Sequence, residues 1–478
     1  MARFGKHHIL VPLVLLVAVL LRALAFSPFA VHHPDEAIQY IEQAHRLAFG
    51  TGLVPWEYRE GMRSWLVPLL LAGPMRLGEA LAPGSLAYVV LPRLTSALLA
   101  FAMVPAAYAI GRRLSPQHGL AAMAVIGLWY ESVYFSVHVL TETLAVSAFF
   151  CAAALLRPDA RPARLIGAGA LLALAALVRF HYLPAIAVFA LVSLGMRWRD
   201  WGWLALGGIA IALASGAIDA AMGQVPFLWI YRNFAQNILA DKASAFGRYG
   251  IEAYGQMVWL AWSVALVPIL WLAAKGARRF PALAAAALVN LALHLLIGHK
   301  EYRFILLTTE IAIFLAAIGS AELVAGLRHG DRLLAGLVAL WALASATLAL
   351  AEPSNPGWRR FEPGFRLARE ARLHGACGLA LADRSYWKSG GHTYLGSATL
   401  YYVQGRDPAD TLARLTAGSG AYDAIIAAPG QAPPAYRTIA CRGDADGSLC
   451  LAIRPGPCTR SAVTEPWRMQ AAMEAGNR

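Results

Sequence analysis

The chain has 478 residues, of which 58% are apolar and only 14% are Asp, Glu, Lys or Arg. A soluble globular chain carries roughly 25% charged residues, so this shortfall and a mean hydropathy of +0.52 exclude an ordinary soluble domain and indicate a membrane protein. The formal net charge of +13 does not point to nucleic acid, because the basic residues sit in short clusters between apolar runs, which is the positive-inside pattern.

In chain order, a basic start precedes an apolar run over 9–26. No small-x-small cleavage site follows it, so it reads as an uncleaved first span with a cytoplasmic N-terminus. Further runs cover 86–110, 118–136, 139–156, 165–178, 183–196, 202–222, 256–274, 281–298, 304–320 and 333–351, which gives about eleven spans. Segment 65–82 is also apolar. Counting it as a span would put Arg112-Arg113 outside, so an interfacial or re-entrant helix is expected there. The basic clusters near 112–113, 157–164, 197–199, 275–279 and 328–332 then all fall inside. Segments 31–64, 179–182, 223–255 and the tail fall outside, with 299–303 at an outer span end.

The first outer loop reads His32-His33-Pro34-Asp35-Glu36, then Gln39, Glu42, His45 and Arg46. Pro34 suits a first helical turn, and Asp35 and Glu36 sit where the helix dipole favours negative charge. An ordinary solvated helix start fits the same spacing. Trp56, Glu57, Tyr58, Arg63 and Ser64 follow within nine residues. Their aromatics suit either sugar stacking or the interfacial aromatic belt.

A second constellation is His299-Lys300-Glu301-Tyr302-Arg303-Phe304, whose cations oppose the positive-inside bias. A phosphate explains them, and so does snorkelling from a helix end. Arg179-Phe180-His181-Tyr182, at an outer tip, is a third candidate, and Glu142 is an intramembrane carboxylate near the same surface. A carboxylate able to deprotonate a hydroxyl, with cations able to hold a phosphate leaving group, describes sugar transfer from a lipid-phosphate donor. A transporter or flippase of lipid-linked saccharides is the rival class, but it calls for inverted repeats and a midplane site, and neither is evident. A non-catalytic membrane protein is the third.

The tail over 352–478 is polar, with strand-like runs at 379–382, 400–403, 424–427 and 450–453 and helix-like runs at 365–374 and 408–417. This is the expectation of a small α/β domain, dividing the chain into 1–351 and 352–478. Four of the five cysteines (Cys377, Cys441, Cys450, Cys458) lie in it. Disulfides suit an outward domain, with Cys441–Cys450 the favoured pair. Free thiols remain the alternative, and no Cys-x-x-Cys spacing supports zinc.

The run His33-Pro34-Asp35-Glu36…Gln39…Glu42…His45…Phe49-Gly50-x-Gly52…Trp56-Glu57-Tyr58…Arg63-Ser64…Pro68 resembles the first luminal loop of the family 22 mannosyltransferases, which extend GPI anchors and N-glycan precursors. His299-Lys300-Glu301-x-Arg303-Phe304 resembles their His-Lys-Glu-x-Arg-Phe signature, with Tyr302 where they usually carry an acidic residue. The resemblance covers roughly 10–320 and leaves the tail unmatched. It implies a GT-C fold, a polyprenyl-phosphate sugar donor and inverting transfer to a glycan or glycolipid hydroxyl, with mannose inherited from the family rather than shown by any residue. It implies Asp35 as catalytic base with Glu36 beside it, and His299, Lys300 and Arg303 at the donor phosphate, where Arg179 of the outer tip is a further candidate. Gln39, Trp56, Glu57, Tyr58, Arg63 and His181 are then candidates for contact with the acceptor or sugar. No metal or cofactor is expected. Arginine- and alanine-rich spans with a disulfide-capable tail point to a bacterial source, a plasma-membrane location and an extracytoplasmic site and tail.

Overall fold

The computed structural model describes residues 4–158, 160–382, 385–444, 447–459 and 462–475, with side chains from residue 10 onward. The expected cytoplasmic start at 1–3 and the turn positions 445–446 between Cys441 and Cys450 lie outside the described residues. The chain forms two compact units, one of residues 1–26 with 96–356 and one of residues 27–95 with 357–478. The sequence boundary near 352 is therefore close to one of the breaks, but the first loop and the helix Leu66–Leu81 group with the tail.

The first unit is helical. Among the described residues, five helices are long and apolar enough to cross a membrane: Ala87–Gly111 (shared with the second unit), Trp198–Ala221, Ala253–Ala277, Tyr302–Val324 and Gly330–Leu350. Leu10–Ala25, Pro162–Val178, Phe180–Leu194 and Pro281–Leu296 are apolar but shorter. The run expected as one span over 118–136 is instead divided at Trp129, whose extended backbone ends the helix Pro116–Leu128. Its second half, Tyr130–Ser136, makes a bent pair with Thr141–Leu155 at 114°.

Tyr302–Val324 is the central helix, with 83% of its apolar window buried, against 17% for Ala253–Ala277. Small residues let neighbouring helices touch backbone to backbone. A Cβ on Gly169 would lie 1.9 Å from the Leu204 carbonyl oxygen, and one on Gly319 would lie 2.0 Å from that of Leu272. Several buried charges of this unit find partners inside it, as hydrocarbon favours. Arg22 donates to the carbonyls of Gly127 (2.8 Å) and Ser132 (3.3 Å). Ser132 donates to Glu310, and Glu131 accepts from the indoles of Trp129 (2.8 Å) and Trp262 (2.7 Å).

The second unit contains one five-stranded sheet. Its strands are β1 (Gly378–Ala382), β2 (Thr399–Tyr402), β3 (Ala424–Ala427), β4 (Arg437–Asp444) and β5 (Gly447–Ile453), in the order β2-β1-β3-β5-β4. β1 pairs in parallel with β2 and β3, and β5 pairs antiparallel with β3 and β4. β1 and β3 are buried on both faces, which explains their unbroken apolar sequences. β4 is an exposed edge rich in polar residues, so hydrophobic patterning does not announce it. The expected helices are Glu362–Leu373 and Pro408–Ala417, the latter capped by Asp407, which accepts from the Asp410 N–H at 2.8 Å. Cys441–Cys450 is a disulfide, and Cys377–Cys458 is a second one.

Candidate active site

The first loop enters its helix at Pro34, and residues Glu36–Ile41 form a π-helical stretch bracketed by Asp35 and Glu42. Such stretches are frequent at functional sites. Here the widened turn brings Gln39 back to Asp35. Gln39 Nε2 donates to Asp35 Oδ1 at 2.8 Å and to Glu57 Oε1 at 2.7 Å. Glu57 lies on the short helix Trp56–Arg59, so two segments deliver carboxylates to one amide nitrogen, Glu57 reaching it from eighteen residues further along the chain. Gln39 Oε1 is buried without a hydrogen-bond partner. Tyr58 fixes the arrangement from below by donating to the Gln39 carbonyl at 3.0 Å.

Burial pushes the Glu57 carboxyl up to about 7; the Arg63 guanidinium opposes this and the Asp35 carboxylate reinforces it. Glu57 therefore carries a proton for part of the time at neutral pH, while Asp35, with 18% of its side chain exposed, remains open to solvent. Gln39 thus joins Asp35 to Glu57, Tyr58 holds the Gln39 backbone, and the Arg63 guanidinium acts on the Glu57 carboxyl. Trp56 starts the helix that carries Glu57 and is half-buried.

Glu36 departs from expectation. Its carboxylate is fully buried, paired with Arg93 at 3.1 Å, and accepts the His32 N–H at 2.9 Å. Arg93 in turn donates to the Ala30 carbonyl at 3.0 Å. Adjacent residues on a helix point in different directions, so Glu36 anchors the loop while Asp35 faces Gln39. An arginine at 93, inside an apolar run, was the available signal for a buried acidic partner.

In the other unit, the cationic motif folds back on the helix break at Arg179. Arg179 reaches Glu142 at 3.2 Å and Arg303 reaches it at 3.5 Å. Both guanidinium groups lie over the Phe304 ring, at 4.9 and 5.3 Å. Glu301 accepts from Arg303 Nε (2.6 Å) and pairs with His299 Nε2 (2.9 Å). That hydrogen bond to Glu301 holds the His299 imidazole above its ordinary value. Arg179, Arg303 and His299 thus share two carboxylates, Glu142 and Glu301, and arginine and histidine side chains gathered in this way are groups that hold anions. Lys300 departs from expectation: its ammonium is buried and donates to the carbonyls of Leu295 (3.1 Å) and Ile297, which makes it a brace for the loop.

A largely apolar cavity of about 560 Å³ adjoins this cluster. Phe180, Leu183, Phe234, Ile238, Leu293 and Leu296 line it, with His181, His294 and His299 at its polar side. His181 thus lines this cavity. His294 was missed by sequence reading because it sits inside an apolar run. Among the described residues, one group of potential metal ligands converges, Cys377, Asp423 and Cys458, and the disulfide between its two cysteines leaves no thiolate to coordinate.

The sequence of residues 12–352 matches the model of the Alg9-like mannosyltransferase family. GPI mannosyltransferase 3 of Drosophila melanogaster is 41% identical over 86 residues, 18% of this chain and 15% of that one. GPI alpha-1,2-mannosyltransferase 3 of Bos taurus is 25% identical over 293 residues, 57% of this chain and 52% of that one. The chain thus spans about half or less of the length of these curated relatives. ArnT from Cupriavidus metallidurans, solved bound to undecaprenyl phosphate, superposes with a TM-score of 0.59 at 14% identity over 92% of this chain and 97% of that one. The likeness bears on the fold, and it meets the expectation of a GT-C helical membrane protein with a small C-terminal sheet domain.

Proposed function

The chain belongs to the Alg9-like mannosyltransferase family, and from that premise we propose that it transfers mannose from a polyprenyl-phosphate donor to a hydroxyl of a lipid-linked glycan or glycolipid, with inversion at the anomeric carbon. Asp35 takes the proton of the attacking hydroxyl as it bonds to the sugar carbon, and the bond from that carbon to the phosphate oxygen breaks. The observation that carries this reading is the shared amide of Gln39, which holds Asp35 beside a carboxyl that burial keeps partly protonated near neutrality. A protonated neighbour adds no second negative charge beside Asp35.

His299, Arg303 and Arg179 supply the cationic group for the departing phosphate, and the apolar cavity beside them suits isoprene units. The lipid that ArnT was solved with is of this chemical class. The reading calls on no metal and no cofactor, and places the reaction on the extracytoplasmic face of the plasma membrane. The test is transfer from polyprenyl-phosphate mannose by the purified full-length protein. Loss of transfer in Asp35→Asn supports the base assignment, and full activity in that variant overturns it.

A further inference from the structure

The tail carries no residue of the two motifs, yet it belongs to the same compact unit as the first loop. Its parallel strands are wound so that the chain leaves β1 for β2 on one side and then crosses to β3 on the other. The carboxyl end of β1 is therefore a topological switch point, where open α/β sheets take their ligands. The turn Tyr386–Ser389 stands at that end.

The segment that follows this turn, Gly391–Thr393, is clasped to the helix that carries Asp35. Glu42, which closes the π-helical stretch opened by Asp35, is fully buried. Its carboxylate accepts from the His392 N–H (2.8 Å), the Thr393 N–H (2.9 Å) and the Thr393 hydroxyl (2.6 Å), as well as from the Leu53 N–H (2.9 Å). Gly390 and Gly391, with φ of 68° and 66°, make the approach possible; a Cβ on Gly391 would lie 2.5 Å from the Glu42 carboxylate. From the opposite side, the helix Glu362–Leu373 touches the turn at Gly364, where a Cβ would lie 2.2 Å from the Lys388 carbonyl oxygen. The carboxyl end of the turn is thus held at Lys388 and, just beyond it, at Gly391–Thr393 on Glu42, and its first residue is a tyrosine.

We infer that Tyr386 is an acceptor-binding residue, its phenol meeting a hydroxyl of a saccharide acceptor whose neighbouring hydroxyl Asp35 deprotonates. The Tyr402 ring, at the end of β2, packs edge-on against it at 6.3 Å and limits its rotation. Gln39 Oε1, buried and without a hydrogen-bond partner, offers a second acceptor for the same sugar. Burial, then the carboxylates of Glu57 and Asp35, push the Tyr386 phenol up to about 12, so it keeps its proton for donation across the physiological range. A rigid aromatic with a polar tip is suited to a sugar, offering an apolar face and one hydrogen bond. On this reading the tail, which neither motif reaches, supplies a wall of the acceptor site.

The inference rests on Asp35 being the base, and the experiment separates the two. Full-length protein in nanodiscs is given polyprenyl-phosphate mannose as donor and octyl α-mannoside as acceptor probe, and release of mannose to water is measured without the probe. Tyr386→Ala raises the acceptor KM about tenfold, the loss of one hydrogen bond and its packing; Tyr386→Phe raises it by a smaller factor. Donor KM and release to water stay at wild-type values in both. An unchanged acceptor KM in Tyr386→Ala overturns the inference. So does an equal fall of probe transfer and water release in Tyr386→Phe, which would mark a structural role. Absence of transfer to the mannoside by the wild-type protein overturns the saccharide class. Failure of the base assignment reads out elsewhere, as full transfer by Asp35→Asn.

Discussion

Asp35 and Glu57 share a single amide nitrogen: Gln39 Nε2 stands 2.8 Å from one carboxylate and 2.7 Å from the other. The two acids differ in environment, since burial raises Glu57 to about 7 while Asp35 is partly exposed. Environments that push two carboxyls apart are a usual way to divide acid and base roles.

The first prediction concerns pH. Glu57 in the folded protein titrates near 7 against an ordinary value of 4.5, so the folded state holds a proton that the unfolded state has lost. Stability therefore falls as pH rises from about 4.5 to about 7 and is level above that, the full difference being about 3 kcal/mol. Glu57→Gln removes this slope. Thermal unfolding at pH 5 and pH 8 reads it as a variant whose advantage over wild type grows with pH. A parallel pH dependence in both proteins contradicts the assignment.

The base itself is the second. General base catalysis contributes roughly 10²–10⁴ in rate, so Asp35→Asn lowers kcat by that order while leaving donor KM close to wild type. Gln39→Leu, which removes the shared amide, lowers kcat less, by about tenfold. Steady-state transfer assays at saturating donor separate the two variants.

On the phosphate side, Arg303→Ala removes a cation that holds Glu301 and Glu142 together. Donor KM rises about 10- to 100-fold, in line with loss of a charge-assisted contact. His299 adds a pH dependence of its own. Because Glu301 raises its value above 6.5, the charged form persists past that pH and is lost as pH climbs further. Donor KM therefore increases on the alkaline side, and His299→Gln flattens that limb. A wild-type donor KM that does not vary with pH there rules this out.

The clasp at Glu42 is a matter of stability. Glu42→Ala leaves four donors without their buried carboxylate, at a cost of about 3 kcal/mol. Differential scanning fluorimetry in detergent reads the lowered transition. An unchanged midpoint would show that the tail holds to the loop without it.

The disulfide Cys377–Cys458 closes a separation of 81 residues. Paired Cys→Ser replacement lowers stability by roughly 4 kcal/mol in the chain-entropy description. Replacing Cys441–Cys450, with a separation of 9, costs less. Comparative urea unfolding of the two double variants measures the order, and equal losses refute it.

Much of the candidate site is legible in the chain because its signals are local. Pro34-Asp35-Glu36 announces a helix start, Gln39 follows at one turn, and the cations of 299–303 stand out against the charge bias of spans. The roles of neighbours were not legible. Glu36 and Asp35 are adjacent acids, and only the fold reveals that Arg93 takes one of them. Lys300 reads as a phosphate ligand until the loop curls and offers its ammonium two carbonyls. The fold shows the same division. β1, β3 and β5 are visible as apolar runs, whereas the exposed edge β4 has no such pattern, and the break at Trp129 lies within an apolar stretch that looks continuous.

The sequence by itself determined that this is a multi-pass membrane protein, where its charged motifs lie, and which family they resemble, because hydropathy, charge bias and motif spacing act over short distances. Only the tertiary structure decided that residues 27–95 and 357–478 form one unit, and that Glu42 is satisfied by Thr393 more than three hundred residues away. The physical reason is that a buried carboxylate specifies how many donors it needs but not where in the chain they come from.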